Sequence, residues 1–321
     1  MRIRRPWLLP LVPVWGAFAA VKNAMYDAGL LPVRRLDRPV ISVGSLSAGG
    51  AGKTPVVLML ARLLQAGGIT ADVLSRGYGR SSAVAEEVDP AGTVSRFGDE
   101  PLEIVRSGLR VFVGAERFDA GHVAEGVSSA EVHLLDDGFQ HRRLGRCLNV
   151  VLLTRADVED VLIPAGNLRE NVSSLRRADV VVVREEEAMA CKDYFTGEVW
   201  VIRRQLVLPA IRPLRPLAFC AIARPEGFFA MLQRAGCGLA GQVEFADHYL
   251  YSDRDFAKLV EAASRTGADG FVTTAKDFVK ISDGARRRLE AVGPVCVAKL
   301  RVELLDPARA FRRMQRVISR E

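Results

Sequence analysis

The chain has 321 residues, about twice the usual size of a domain, which predicts one large α/β unit or two domains. A hydrophobic fraction of 49% with 26% charged residues excludes a disordered chain and a fully membrane-embedded one. Five scattered cysteines with no C-x-x-C pair exclude a zinc site and fit a reducing compartment, and the net charge of +7 gathers at the N-terminus, where Arg2, Arg4, Arg5, Lys22, Arg34, Arg35 and Arg38 face only Asp27 and Asp37. Such a segment suits an acidic surface: phospholipid headgroups, nucleic acid or a phosphorylated substrate.

Between Arg5 and Lys22 lie sixteen uncharged residues, Pro6 to Val21, short of the ~20 that a spanning helix needs, and Pro6, Pro10 and Pro13 interrupt them. A transmembrane helix is therefore not expected. Trp7, Leu11, Val14, Phe18, Val21 and Met25 fall on one face of a helix whose regular part starts near Pro13. With arginines before it, and tryptophans at 7 and 15 of the type that anchors at headgroup depth, this is read as an amphipathic element of a membrane interface. A core helix and a secretory leader are the rival readings, the leader disfavoured because the prolines break its apolar region.

Short β-rich runs then alternate with helical stretches: Val40–Val43, Ala71–Leu74, Arg110–Val113, Val132–Leu135, Leu148–Leu153 and Val180–Val183. Several are apolar throughout, as strands covered on both faces should be, so a mostly parallel, doubly wound sheet with flanking helices is predicted. Residues 206–216 carry three prolines, which predicts a hinge between a core at 39–205 and a smaller C-terminal α/β domain at 217–321, whose last helix could pack back on the core. In that second domain the strand candidates are Leu217–Ile222, Gly270–Thr273 and Val295–Ala298, and the helix candidates are Glu226–Arg234 and Asp253–Arg265.

The strongest chemical signal is VISVGSLSAGGAGKTPVVLMLARLL, an apolar strand, a glycine-rich loop and a helix starting around Lys53: the context of a P-loop of the NTPase type. Ser47, Ala48, Gly49, Gly50, Ala51, Gly52, Lys53 and Thr54 form the expected nucleotide cradle. Backbone N–H groups would turn onto phosphate oxygens, Lys53 would reach the β- and γ-phosphates, and the Thr54 hydroxyl would ligate Mg²⁺. Ser47 stands where the usual pattern has glycine, and Ala48 where dimerising ATPases carry a lysine.

Asp136 and Asp137 end an apolar strand, where a P-loop fold places its metal-associated acid; an Asp-Asp-Gly turn is the plainer alternative. Asp99, in GDEP, is a candidate helix N-cap. Four histidines could assist proton transfer: His141 and His248 lie in acidic motifs, His122 has no supporting motif, and His133 alternates within a strand and reads as structural.

Eight segments in order, VGSLSAGGAGKTP (43–55), SRGYGR (75–80), GDEP (98–101), LLDDGFQHRRL (134–144), IPAGNLRE (163–170), IARPEGFF (222–229), ADHYLYS (246–252) and TTAKDFVK (273–280), make the chain resemble the tetraacyldisaccharide 4'-kinase family of lipid A biosynthesis. That resemblance covers nearly the whole chain, and the family's own loop also lacks the first glycine. It implies a P-loop core hinged to a smaller domain, with an N-terminal helix dipping into the cytoplasmic face of the inner membrane, and transfer of the γ-phosphate of ATP, with Mg²⁺, to the 4'-hydroxyl of a tetraacyldisaccharide 1-phosphate. Asp99 would accept the proton, supported by His248. Lys53 and Thr54 would serve the phosphates and metal, Asp136, Asp137 and Glu170 the Mg²⁺ or its waters, and Arg76 and Arg169 the substrate or transition-state phosphate. Arg117 is a weaker candidate, read as a solvated surface residue. Asn167 replaces a commoner proline and Ala275 a commoner glutamate.

Two rival functions follow from the residues. A regulatory P-loop GTPase or metallochaperone would want a guanine motif, which Thr274-Ala275-Lys276-Asp277 approaches. A nucleic-acid-binding ATPase would fit the pI of 9.4, but aromatic residues are not interleaved with the basic ones as a stacking platform requires, so no nucleic-acid partner is expected. The expected partners are the lipid A precursor and membrane lipids, with no obligate protein partner evident.

Overall fold

The computed structural model describes residues 5–320; Arg2 and Arg4 of the basic cluster lie outside the described residues. Twelve strands among these residues, β1 (Val40–Ser45), β2 (Ala71–Ser75), β3 (Glu86–Glu87), β4 (Val111–Val113), β5 (Val132–Asp136), β6 (Leu148–Leu153), β7 (Val180–Arg184), β8 (Glu198–Val207), β9 (Leu217–Cys220), β10 (Gly241–Glu244), β11 (Phe271–Thr274) and β12 (Val295–Leu304), form one sheet. Their order is β10-β9-β11-β12-β8-β7-β6-β1-β5-β2-β4-β3. All neighbours are parallel except β3 with β4 and β8 with β12.

The central strands are apolar for the reason the sequence predicts. Every residue of β1 and β5 is buried, and so are the four valines of β7, because helices cover both faces. One face packs Ile41, Leu134 and Val150 against the helix Lys53–Ala66; Phe139, Val151 and Val181 lie on the other. The last helix, Pro307–Ile318, joins the first of these clusters through Ala310, Met314 and Val317, so the chain's end lies on the P-loop side of the molecule.

Two long strands connect the halves. β12 pairs with β11 through Val295–Ala298 and with β8 through Lys299–Leu304. β8 runs on to Val207, inside the segment read as a hinge. Neither its length nor that of β12 is evident in the sequence, because both alternate buried and exposed positions where they cross between the halves.

The N-terminal stripe is where the sequence reading is sharpest. Trp7, Leu11, Val14, Phe18, Val21 and Met25 are all exposed, between 36 and 73%. The prolines do not break the helical run, however. Pro6 and Pro10 sit in a 3₁₀ turn, Pro6–Leu11, and Pro13 in the first turn of the helix Val12–Asp27, where a missing N–H costs nothing. The run Pro6–Asp27 has 22 residues and is long and apolar enough to cross a membrane, so the expectation that length excludes spanning is corrected.

Candidate active site

The P-loop starts where β1 ends. Gly49, Gly50 and Gly52 all take positive φ, at 76°, 69° and 90°, a conformation that a side chain would strain. The carbon a side chain would add at Gly50 would meet Arg224, and at Gly49 would press Ala223 and Asp247, all from the C-terminal half. Ser47 and Ala48 are less free than the sequence implies. Ala48 N–H donates to the Asn167 carbonyl at 2.8 Å and Ser47 bridges to Leu168, so the start of the loop is tied to the 167–168 backbone. Asn167 contributes there through its backbone carbonyl, which proline also has, and its departure from the family's pattern leaves that contact intact.

Lys53 Nζ lies 3.4 Å from Asp137, and Thr54 is buried beside it at the start of the helix. Asp137, at φ 51°, is engaged twice, since Arg169 donates to both its carboxylate oxygens at 2.8 and 2.9 Å. Burial works to raise Asp137, but Lys53, Arg169 and Arg117 outweigh it and hold the carboxyl below its ordinary value. Asp136 has the opposite environment. It is buried, its Oδ1 has no hydrogen-bond partner, and burial with the nearby Glu100 and Asp137 pushes it up to about 7. An orphaned buried carboxylate oxygen at the end of the strand paired with β1, which leads into the P-loop, fits a hard cation, and Mg²⁺ commonly takes only one or two protein carboxylates. Glu170 points elsewhere, in an ion pair with Arg177, on the wall of a cavity of about 300 Å³ shared with Asn23 and Arg176.

Arg117 is only 6% exposed and its Nε has no partner, which corrects the reading of it as a solvated surface residue. Burial lowers it to about 10, against the pull of Asp137 and Asp136, so it remains a cation at the floor of the site. Arg76 is exposed at the end of β2. His141 has a buried, unpartnered Nε2 and is lowered to about 3 by burial and the surrounding arginines, so it stays neutral. His133 pairs with Asp72 at 2.5 Å inside the sheet, a structural role.

The facing wall joins Asp99 of the core to His248 and two lysines of the C-terminal half. Asp99 is the first residue of the helix Asp99–Val105 and not its cap, a position taken by Gly98, whose φ of 91° suits glycine. Its carboxylate is buried and lies 3.0 and 3.2 Å from His248 Nδ1. His248, at φ 60°, is with Asp137 one of the two non-glycine residues of positive φ among those described; such strain gathers at functional sites. The ring of Tyr78 lies 5.0 Å from its imidazole. Lys276 and Lys280, which the sequence presented only within the matching segment TTAKDFVK, Lys276 also in a possible guanine motif, reach Asp99 at 3.8 and 3.4 Å. A regular spacing of four between them on a helical turn was the available signal.

The same geometry disposes of the guanine motif. Asp277 is fully buried and accepts from Ala221 N–H at 3.0 Å, Thr274 Oγ1 at 2.7 Å and Lys280 at 3.1 Å, leaving it no reach toward a base.

The inner face of the N-terminal helix is held by protein. Trp15 Nε1 donates to the Arg169 carbonyl at 3.0 Å, Arg142 donates to the Asn23 carbonyl at 2.9 Å and pairs with Asp27 at 2.7 Å, and Tyr26 is buried beneath Arg142. Trp15 is thus a docking residue and not the headgroup anchor expected of it; Trp7 keeps that exposure.

Comparison with known proteins decides what this cleft belongs to. The sequence profile of one family, tetraacyldisaccharide-1-P 4'-kinase, matches residues 4–319. The chain belongs to the tetraacyldisaccharide 4'-kinase family. The Koribacter versatilis member is 41% identical over 97% of this chain and 98% of its own, and the Geobacter sulfurreducens member is 39% identical over 92% and 88%. A crystal structure of the Aquifex aeolicus member of the family in complex with ATP superposes with a TM-score of 0.79 at 30% identity, covering 98% of this chain and 99% of that one. Fold and family are therefore those the motifs predict, and nothing in these relatives favours the GTPase reading.

Proposed function

We propose that this chain transfers the γ-phosphate of ATP to the 4'-hydroxyl of a tetraacyldisaccharide 1-phosphate, giving the 1,4'-bisphosphate of lipid A biosynthesis. The observation that carries it is the opposition, across one cleft, of a P-loop with a buried carboxylate–imidazole pair on the facing wall. Phosphoryl transfer to an alcohol needs little else: positioning, neutralisation of phosphate charge, and a group that takes the hydroxyl proton.

In this reading Gly49 to Thr54 hold the phosphates, Lys53 the β- and γ-oxygens, and Asp99 with His248 takes the proton. Thr54 and Asp136 would hold Mg²⁺, which supplies charge neutralisation at the phosphates when bound. Asp137 orients Lys53 and Arg169 and adds its charge behind them. Glu170 would serve the metal's waters only by leaving Arg177. Arg169 and Arg117 face the transferred phosphoryl group, and Arg76 the rim where substrate enters. The exposed stripe of the N-terminal helix would lie in the cytoplasmic face of the inner membrane, its other face being committed to protein. Residues 39–205 serve as the kinase core, 206–216 as the hinge and 217–321 as the domain bringing His248.

The test is transfer of ³²P from γ-labelled ATP to tetraacyldisaccharide 1-phosphate in detergent micelles. Labelled bisphosphorylated lipid is expected; nucleotide hydrolysis without labelled lipid, in well-dispersed substrate, would overturn the assignment.

A further inference from the structure

Lys276 does more at this site than neutralise acids. Its ammonium lies 3.3 Å from His248 Nε2, 3.2 Å from Glu100, 3.6 Å from Asp247 and 3.8 Å from Asp99. We propose that Lys276 is a positioning residue for the proposed phosphoryl transfer, holding His248 as the neutral tautomer that carries its proton on Nδ1 and offers a lone pair at Nε2.

The inference rests on donor and acceptor counting. A lysine ammonium has three donors and no acceptor, so the imidazole nitrogen it meets must be the unprotonated one. Nδ1 then carries the hydrogen and donates it to Asp99, at 3.0 Å from the nearer oxygen. The other acceptor near Nε2 is Asp247, whose carboxylate stands at 3.8 Å, beyond hydrogen-bonding distance and further than Lys276. The groups facing His248 are thus Asp99, Lys276, Asp247 and the ring of Tyr78, and only Lys276 is within reach of Nε2.

Lys276 is itself well placed to do this. It sits on the short turn Ala275–Phe278, whose cap is the Thr274 side chain accepting from Asp277 N–H, and Asp277 roots that turn on the Ala221 backbone. Burial works against its charge, but Glu100, Asp99 and Asp247 together raise it above the ordinary lysine range, so the ammonium persists throughout the working pH. Burial also works to raise Asp99; the hydrogen bond from His248 and the charges of Lys276 and Lys280 prevail and bring it down to about 2. The two effects have one sense: the cation keeps the pair free of an extra proton and aimed, ready to take one from the acceptor. In this arrangement the atom that takes the hydroxyl proton is His248 Nε2, with Asp99 accepting the hydrogen bond from Nδ1 in place of the direct acceptor role that the family resemblance implies; when a hydroxyl occupies Nε2 in place of Lys276, the ammonium retains Glu100 and Asp247 as partners.

The experiment uses the full-length protein labelled with ¹⁵N-histidine, the His248 resonances being assigned through His248→Gln. In the wild type, Nδ1 is expected to be protonated and Nε2 to show the unprotonated shift. Lys276→Met should mix the tautomers, lower kcat by roughly 10- to 100-fold with the KM for ATP within about twofold, and move the acidic limb of the kcat profile to higher pH. That sign follows because removing a neighbouring cation lets the pair hold a proton more tightly. Lys276→Arg should restore the position of the limb. A wild-type His248 protonated on Nε2, or a Lys276→Met enzyme that loses activity with its limb unmoved, overturns the proposal. Should the nitrogen shifts be as expected while no lipid is phosphorylated, the proposed reaction fails and the tautomer assignment stands.

Discussion

The two walls of the cleft are built differently. The P-loop wall is local: β1, three glycines, Lys53 and Thr54 follow one another in the chain, and only their packing partners, such as Asp137 and Arg224, come from elsewhere. On the opposite wall nothing is local. Asp99, His248 and Lys276 come from three separate segments, Asp99 being 149 residues from His248 and Lys276 a further 28 along, and each is shaped by the other two. Chemistry encoded in one segment survives rearrangement elsewhere; chemistry assembled from three depends on how the two halves sit together.

That contrast can be broken from either side. Lys53→Ala removes a charge from the local wall and should lower phosphoryl transfer by about 10³-fold, or ~4 kcal/mol of transition-state stabilisation, with far-ultraviolet circular dichroism unchanged. Steady-state kinetics with labelled ATP would measure it. On the assembled wall, Asp99→Asn keeps the shape but removes the partner of both His248 and the lysines. A loss of about 10²-fold in kcat is expected there. Recovery of wild-type rate in Asp99→Asn would show that the pair is structural.

The sequence made the local wall legible, along with the alternation of strands, because periodicity and glycine spacing are properties of short windows. Asp99 and His248 became recognisable as partners only through family resemblance. Lys276 looked like half of a guanine motif, since its true partners, Glu100 and Asp99, are more than 170 residues away in the chain. Arg117 looked solvated because one charged residue after a strand carries no mark of burial. The long pairing of β8 with β12 was hidden for a similar reason: its alternating pattern belongs to a junction between halves rather than to a covered strand.

The N-terminal helix offers a milder test. Phe18→Asp replaces an exposed apolar side chain and should weaken partition onto anionic vesicles by ~2 to 3 kcal/mol, read by flotation, while ATP binding is unaffected. Equal flotation of the variant and the parent would remove the stripe from the membrane reading. His141 offers a test read by stability instead of activity. Because the fold holds it near 3, the unfolded chain takes up a proton below its ordinary value of ~6.5 that the native state refuses. Stability present above ~6.5 should therefore decline as pH falls from there toward about 3, by at most ~1.4 kcal/mol per pH unit from this residue, and His141→Gln should flatten that slope in urea titrations at stepped pH.

The stretch from Leu162 to Glu170 touches three parts of the molecule at once. Ala165 accepts from Arg5 N–H, the Arg169 carbonyl holds Trp15, Asn167 holds Ala48 of the P-loop, and the Arg169 side chain holds Asp137. It therefore works as a gauge block between the greasy stripe and the phosphate cradle. In the proposed membrane reading, that spacer would let the protein's own dimensions set the height above a bilayer at which an acceptor hydroxyl meets the nucleotide, and a lipid whose head stood too proud or too low would miss its mark however tightly its chains were gripped.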